Sequence, residues 1–313
     1  MDLNIMYFLQ NIREALPDGI IYLINFIADI PAGFIAIIIM SIIYWCFNKT
    51  NGKILIGAYT LSYFINGLLK VTACVYRPWI KDSRLHVASI AQKGATGYSF
   101  PSGHATQAGS LYTSLAYLYG KKAKFITPIC IVLILFTMFA RIFLGAHTPQ
   151  DVIIGSITGV ISIFIIVWIS KYNNIEDRRL NTVLITTVII SIAAILYIIL
   201  KPYPMDTDEL GNLLADPAKM MKDSISGTGM FLGYVIGIYI DKRKVNFKDT
   251  TDKRIRINRL LLGIVCVMIL YFICGKLAKI LLGPIAGTFI EYTLLTMGIT
   301  GVVPLTFKKL KLN

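Results

Sequence analysis

The sequence predicts an all-α fold, a polytopic bundle of helices embedded in a membrane. Three observations lead there. Hydrophobic types make up 56% of the 313 residues and charged types only 15%, against about 25% charged in a soluble protein. The mean hydropathy is +0.67. The apolar residues also gather into stretches close to the roughly 20 residues that cross a bilayer as a helix. These stretches are too long and too continuous for barrel strands, so the α-helix remains as the way for the backbone to satisfy itself in lipid. The same composition excludes a disordered chain and argues against a soluble globular one.

Nine stretches qualify as spans: 22–47, 54–75, 102–119, 125–145, 149–170, 181–200, 226–240, 260–277 and 284–307. The first holds Asp29 and Pro31, where a kink or an interfacial turn is expected. The seventh is short and rich in glycine. Nineteen of the 31 basic residues fall in alternate connections. They are Lys49 and Lys53; Lys121, Lys122 and Lys124; Lys171, Arg178 and Arg179; the group from Lys242 to Arg259; and Lys308, Lys309 and Lys311. The positive-inside rule makes that side cytoplasmic, with the N-terminus out and the C-terminus in. The acidic 201–225 connection is then outside, and a helix from Asp208 to Met221 is expected within it. The net charge of +14 is accounted for by topology, and no nucleic-acid partner is expected. Cys46, Cys74, Cys130, Cys266 and Cys274 show neither zinc nor redox spacing and read as core or lipid-facing thiols. Residues 1–18 mix acidic and basic groups, so no cleavable signal peptide is expected.

Three segments carry chemistry, and all lie at the outer ends of spans. In the first, Lys70 and Arg77 are seven residues apart, two turns of one helix, or about 10 Å along one face, and Pro78 ends that helix. Alone, the pair also fits two basic side chains snorkelling to an interface. In the second, Pro101-Ser102-Gly103-His104 precedes span three. Backbone N–H groups at a helix start form an anion site, the Ser102 hydroxyl adds a donor, and His104 can pass a proton. In the third, Thr148, Pro149 and Asp151 mark a helix start. Asp151 stands close enough to His147 to orient its imidazole as a nucleophile, and Arg141 adds a permanent charge.

The chain has three histidines, and two of them sit in these segments. Three cations at membrane depth on one side need an anion to justify their cost. Together the groups suggest a phosphate cradle with a nucleophile and an acid. Two histidines and a carboxylate resemble a metal-ligand set, but three neighbouring cations repel a metal ion, so neither a metal nor any other cofactor is expected.

Lys70-x6-Arg77-Pro78, Pro101-Ser102-Gly103-His104 and Arg141-x5-His147-x3-Asp151 resemble the three-part pattern of the type 2 phosphatidic acid phosphatase (PAP2) superfamily. The resemblance covers about residues 60–170. It implies a PAP2-like six-helix core in residues 1–180, with about three extra C-terminal transmembrane helices in 181–313. It also implies that His147 attacks phosphorus, Asp151 holds His147, and His104 protonates the leaving oxygen and then activates water. Lys70, Arg77, Ser102, Gly103 and Arg141 would bind the phosphate oxygens. One departure is Ala140, where the family usually has serine, which removes one possible phosphate hydrogen bond. His86 matches no family position.

The expected function is a metal-independent phosphatase in the bacterial cytoplasmic membrane, acting from its outer face through a phosphohistidine. Its expected partners are membrane lipids and a lipid phosphate or diphosphate substrate. Undecaprenyl diphosphate ranks first, then phosphatidylglycerol phosphate and phosphatidic acid. The alternatives are a lipid phosphotransferase, a sugar-phosphate phosphatase and a non-enzymatic anion transporter.

Overall fold

A computed structural model describes residues 3–92, 94–95, 97–171 and 177–312. Apart from one bridge between Thr207 and Leu213, the regular structure among them is helical. The N-terminal half holds α1 (Asn4–Glu14), α2 (Asp18–Asp29), α3 (Phe34–Ile42, extended by a π-helical turn to Phe47) and α4 (Lys49–Ala73). Short α5 (Pro78–Lys81) and α6 (Ser89–Gln92) follow, then α7 (Gly103–Tyr119), α8 (Ile126–Phe143) and α9 (Pro149–Lys171). The C-terminal half holds α10 (Asp177–Leu200), α11 (Pro217–Ile240), α12 (Lys253–Met268), α13 (Gly275–Met297) and α14 (Val303–Lys309).

The protein is an integral membrane bundle with multiple helical spans. Among the described residues, five helical stretches are long and apolar enough to cross a bilayer, or six if α2 and α3 count as one bent pass. That bend is 42°, at the break the sequence placed near Asp29 and Pro31. One of the five runs from Lys253 to Lys309, and it doubles back on itself. Gly283 has φ 81°, Lys279 lies against Gly287, and Gly275 lies against Glu291. The chain therefore reverses within α13, between the stretches expected as spans at 260–277 and 284–307. Helices α7 and α11 are less apolar because other helices wall them in. α7 packs on α4, α8 and α9, and α11 on α4, α10 and α13. Outer faces are apolar instead, with Ile131, Val132 and Leu135 on α8 and Ile157, Ile161 and Phe164 on α9 exposed. An apolar exterior around a more polar interior is the arrangement lipid selects.

Two expectations need correction. The seventh span is not short, since α11 has 24 residues and begins at Pro217, with the Asp216 carboxylate accepting from Ala218 N at 2.9 Å. The helix expected from Asp208 to Met221 does not form over its first half. There the Asp208 carboxylate accepts from the Leu210 and Asn212 amides at 2.9 and 2.8 Å, closing a turn instead. An aspartate offering its own acceptor to nearby N–H groups competes with a helix in this way, while proline suits a first helical position.

The glycines of α11 have a packing role. A Cβ on Gly229, Gly233 or Gly237 would come within 2.6, 2.2 and 1.9 Å of Phe289 O, Thr293 O and Thr300 Oγ1. Small residues every fourth position let two helices approach closely where lipid supplies no hydrophobic drive. Gly233→Leu is therefore expected to separate α11 from α13 and lower the melting temperature of the detergent-purified protein by several degrees, as overpacking costs about 1–3 kcal/mol. An unchanged melting curve would contradict this packing.

Candidate active site

The site forms where the ends of α4, α7, α8 and α9 converge. Lys70 lies in the last turn of α4. The helix stops at Ala73 because Cys74 takes a left-handed conformation, φ 48°, and Lys201 Nζ donates to the freed Val71 carbonyl. Lys70 and Arg77 are thus not two turns apart on one helix. Arg77 precedes α5 in extended backbone, with Pro78 at the first helical position. Both still reach the same cavity. Lys70 Nζ donates to the Tyr98 and Pro101 carbonyls, each at 2.9 Å. Arg77 donates from Nε to Gly97 O at 2.7 Å and from Nη1 to Ala146 O at 2.8 Å.

Ser102 caps α7, and its hydroxyl accepts from Ala105 N at 3.4 Å. It is fully buried, and its own N–H donates to Asp151 O at 2.9 Å. Gly103 and His104 open the helix on the cavity side. His104 Nε2 lies 2.8 Å from Asp29 Oδ1, and Asn25 Nδ2 donates to Asp29 Oδ2 at 2.7 Å. Arg141, in the last turn of α8, is 2% exposed. Its Nη1 lies 3.4 Å from Asn25 Oδ1 and 3.8 Å from Asp29 Oδ1.

His147 sits in the α8–α9 connection, 2% exposed. Its Nδ1 is 3.6 Å from Asp151 Oδ2, and Arg77 Nη1 is 2.9 Å from its Nε2. Asp151 is held from two further sides, accepting from Ser99 Oγ at 2.5 Å and from Thr148 N at 2.8 Å. Asp151 N in turn faces Thr148 Oγ1 at 3.4 Å, a reciprocal capping arrangement at the start of α9. Burial, with the Arg77 guanidinium beside it, pushes the His147 imidazole well below its ordinary range. A lowered pKa favours the neutral ring, the form that can act as a nucleophile.

Lys70, Arg77, Gly103, His104, Arg141 and His147 line one open cavity of about 200 Å³. Ser102 and Asp151 stand behind its wall, buried. An adjoining cavity, bounded by Asn25, Asp29, Ala32 and Gly33, shares His104 and Arg141 with it. Sequence reasoning missed Asp29 as a partner of His104, Ser99 as a partner of Asp151, and Asn66 and Gln107 on the cavity wall. It also missed Met220, Asp223 and Ser224, which α11 contributes to the same wall. A carboxylate inside an apolar span was the available signal for Asp29. His86 pairs with Glu14 at 3.3 Å on the exposed surface and lies outside the cavity lining. Ala140 is fully buried in α8 and does not line the cavity either. Among the described residues, no cluster of three or more His, Cys, Asp or Glu is arranged to hold a metal ion.

A cationic cavity around an imidazole with a carboxylate beside it, at the ends of spanning helices, has the charge and shape to take an anion. The family model of the PAP2 superfamily matches residues 51–175. A second, described as the PAP2 superfamily phosphatase transmembrane extension, matches residues 225–313. The chain belongs to the PAP2 superfamily. It is similar to phosphatidylglycerophosphatase B of Bacillus subtilis (strain 168), with 25% identity over 138 residues. That match spans 42% of this chain and 64% of the relative's length, just under two thirds. No solved structure matches the chain.

Two buried cations, Arg77 and Arg141, and a half-buried Lys70 facing one cavity should bind an oxyanion without any metal. Inorganic phosphate is expected to raise the melting temperature of the purified protein. Lys70→Met, which keeps the stem and removes the charge, should weaken the fitted affinity by about tenfold or more. Equal phosphate stabilisation of both proteins would count against the cradle.

Proposed function

We propose that the chain is a phosphatase of a lipid phosphate or diphosphate, working through a phosphohistidine. The observation that carries this reading is the buried His147 imidazole, with Asp151 Oδ2 at 3.6 Å, lining one cavity with Lys70, Arg77 and Arg141. A phosphoryl transition state spreads charge over three oxygens, so fixed cations and amides in a dry site supply most of the stabilisation. His147 forms a bond to phosphorus as the bond from phosphorus to the leaving oxygen breaks, and His104 gives that oxygen its proton. His104 then takes a proton from water as the water attacks, and the nitrogen–phosphorus bond breaks. Asp151 holds the His147 ring in one tautomer, while Ser102 and the Gly103 amide order the start of α7 beside the phosphate.

A lipid substrate is favoured by the adjoining cavity, which opens where α2 breaks from α3. Phe26, Phe34 and Ile35 flank that break and are exposed, so an acyl or prenyl chain can stay in apolar surroundings while its phosphate enters. The similarity to a phosphatidylglycerophosphatase supports a lipid phosphate in the same way. We place the site on the outer face of a bacterial cytoplasmic membrane, since nineteen basic residues lie in the connections at the opposite helix ends. On this reading residues 1–180 are the catalytic core, and 181–313 complete the bundle.

His147→Ala should abolish phosphate release from lipid phosphates in detergent. Asp151→Asn should lower kcat by about 10²–10⁴-fold. Undiminished release from His147→Ala would refute the assignment. Wild-type enzyme denatured in alkaline detergent, which preserves a nitrogen–phosphorus bond, should carry covalent phosphate that is lost in His147→Ala, and a chelator should leave the rate unchanged because the fixed cations do the work of a metal. Flux of phosphate into liposomes without hydrolysis would favour a transporter instead.

A further inference from the structure

The phosphate cradle occupies only the upper part of the cavity. Below it the lining stays polar. Gln107 lies one turn beyond His104 on α7, and Asn66 and Tyr63 lie one and two turns below Lys70 on α4. Asp223 and Ser224 close the opposite wall from α11. Most of these groups are already engaged. Asn66 donates to Pro101 O and Thr106 Oγ1 at 3.3 and 2.9 Å, Ser224 donates to Gly67 O at 3.1 Å, and the Tyr63 hydroxyl accepts from Ser226 Oγ at 3.4 Å. Gln107 is not engaged. It is 2% exposed, and both its amide nitrogen and its amide oxygen lack a hydrogen-bond partner. A buried amide left without partners costs about 1–3 kcal/mol, so its place on a cavity wall points to a ligand.

We infer that Gln107 and Asp223 form a subsite for a hydroxyl group on the leaving alcohol, beside the ester oxygen that His104 serves. The inference rests on the phosphatase reading above and names its substrate class: a phosphate monoester with a free hydroxyl on the carbon next to the one bearing the ester oxygen. The placement along α7 fits, because three residues rise about 4.5 Å, so His104 and Gln107 can each reach one of two oxygens carried on neighbouring carbons. The chemistry also selects among polar groups. Asp223 and the Gln107 carbonyl accept hydrogen bonds, and the Gln107 amide donates one, which suits a hydroxyl. An ammonium group is disfavoured, since Lys70, Arg77 and Arg141 line the same cavity against one Asp223 carboxylate. A site built to bond a hydroxyl discriminates strongly against the analogue lacking it. The subsite also gives α11, and so the C-terminal half, a direct part in choosing the substrate.

The test uses the purified full chain and two esters differing by one group: mono-oleoyl glycerol phosphate with its free secondary hydroxyl, and the deoxy analogue with hydrogen in its place. Wild type is expected to favour the hydroxylated ester in kcat/KM by about tenfold or more. Gln107→Leu and Asp223→Asn should each bring that ratio down toward one, chiefly through KM. Hydrolysis of the deoxy ester in the same preparations reports that the variants are folded. A wild-type ratio near one, or a ratio that both substitutions leave intact, overturns the subsite while the phosphatase reading stands. If wild type releases phosphate from neither ester nor from any other lipid phosphate, the phosphatase reading falls, and the subsite with it.

Discussion

Two cations buried in a low-dielectric interior, and a third at its edge, are the constraint from which the rest of this structure follows. Lys70, Arg77 and Arg141 are each too costly to bury without partners, yet carboxylates on all three would cancel the charge. The protein solvates two of them mainly with backbone oxygens, from Tyr98 and Pro101 for Lys70 and from Gly97 and Ala146 for Arg77. Carbonyl dipoles stabilise a cation without removing its charge, so the cavity stays positive. Those carbonyls are free only because the 97–102 segment and the α8–α9 connection are not helical. Irregular backbone at this depth is tolerated where it lines a polar cavity, and here it lines the cradle. The irregular stretches are thus a condition of the electrostatics.

The far end of the bundle shows how that geometry is held. Asp241, fully buried at the end of α11, pairs with Lys49 at 2.8 Å and Lys53 at 3.4 Å. Arg259 donates to Trp45 O, Lys248 O and Leu312 O at 2.9, 3.0 and 2.6 Å, tying α3, α12 and the C-terminal segment together. Removing one partner from a buried pair of this kind costs about 3–5 kcal/mol. With α11 fixed to α4 at this end and packed on α13 through its glycines, its other end has little freedom. Met220, Asp223 and Ser224 are therefore set against the cavity as firmly as the residues of the family motifs.

What was legible in the sequence was chemistry concentrated in short runs. Pro101-Ser102-Gly103-His104 and the His147-to-Asp151 helix start could be read because their partners lie within one turn. Spans with lipid-facing apolar faces, such as α8 and α9, were legible for the same local reason. Groups paired across the chain were not. Asp29 meets His104 over 75 residues, and Ser99 meets Asp151 over 52, distances at which spacing carries no information. The Lys70–Arg77 pair shows the converse error, where an assumed continuous helix ignored a left-handed Cys74, beside which Lys201 from the C-terminal half donates to Val71 O.

The two imidazoles differ in a way that suits two different steps. His147 and Asp151 each expose 3% of their side chains, a dry pair in which, on the proposed reading, the carboxylate steers the nucleophile. His104 and Asp29 expose 22% and 46%, at the junction with the outer cavity. Attack on phosphorus gains from excluding water, because the cations then act on the transferring group at low dielectric. Breakdown of a phosphohistidine needs a water molecule and a base that water can reach. A single carboxylate–histidine pair could not be both dry and accessible. On the proposed reading, two pairs, one closed behind α9 and one at the break between α2 and α3, divide these requirements, and that division gives Asp29 a use beside three cations.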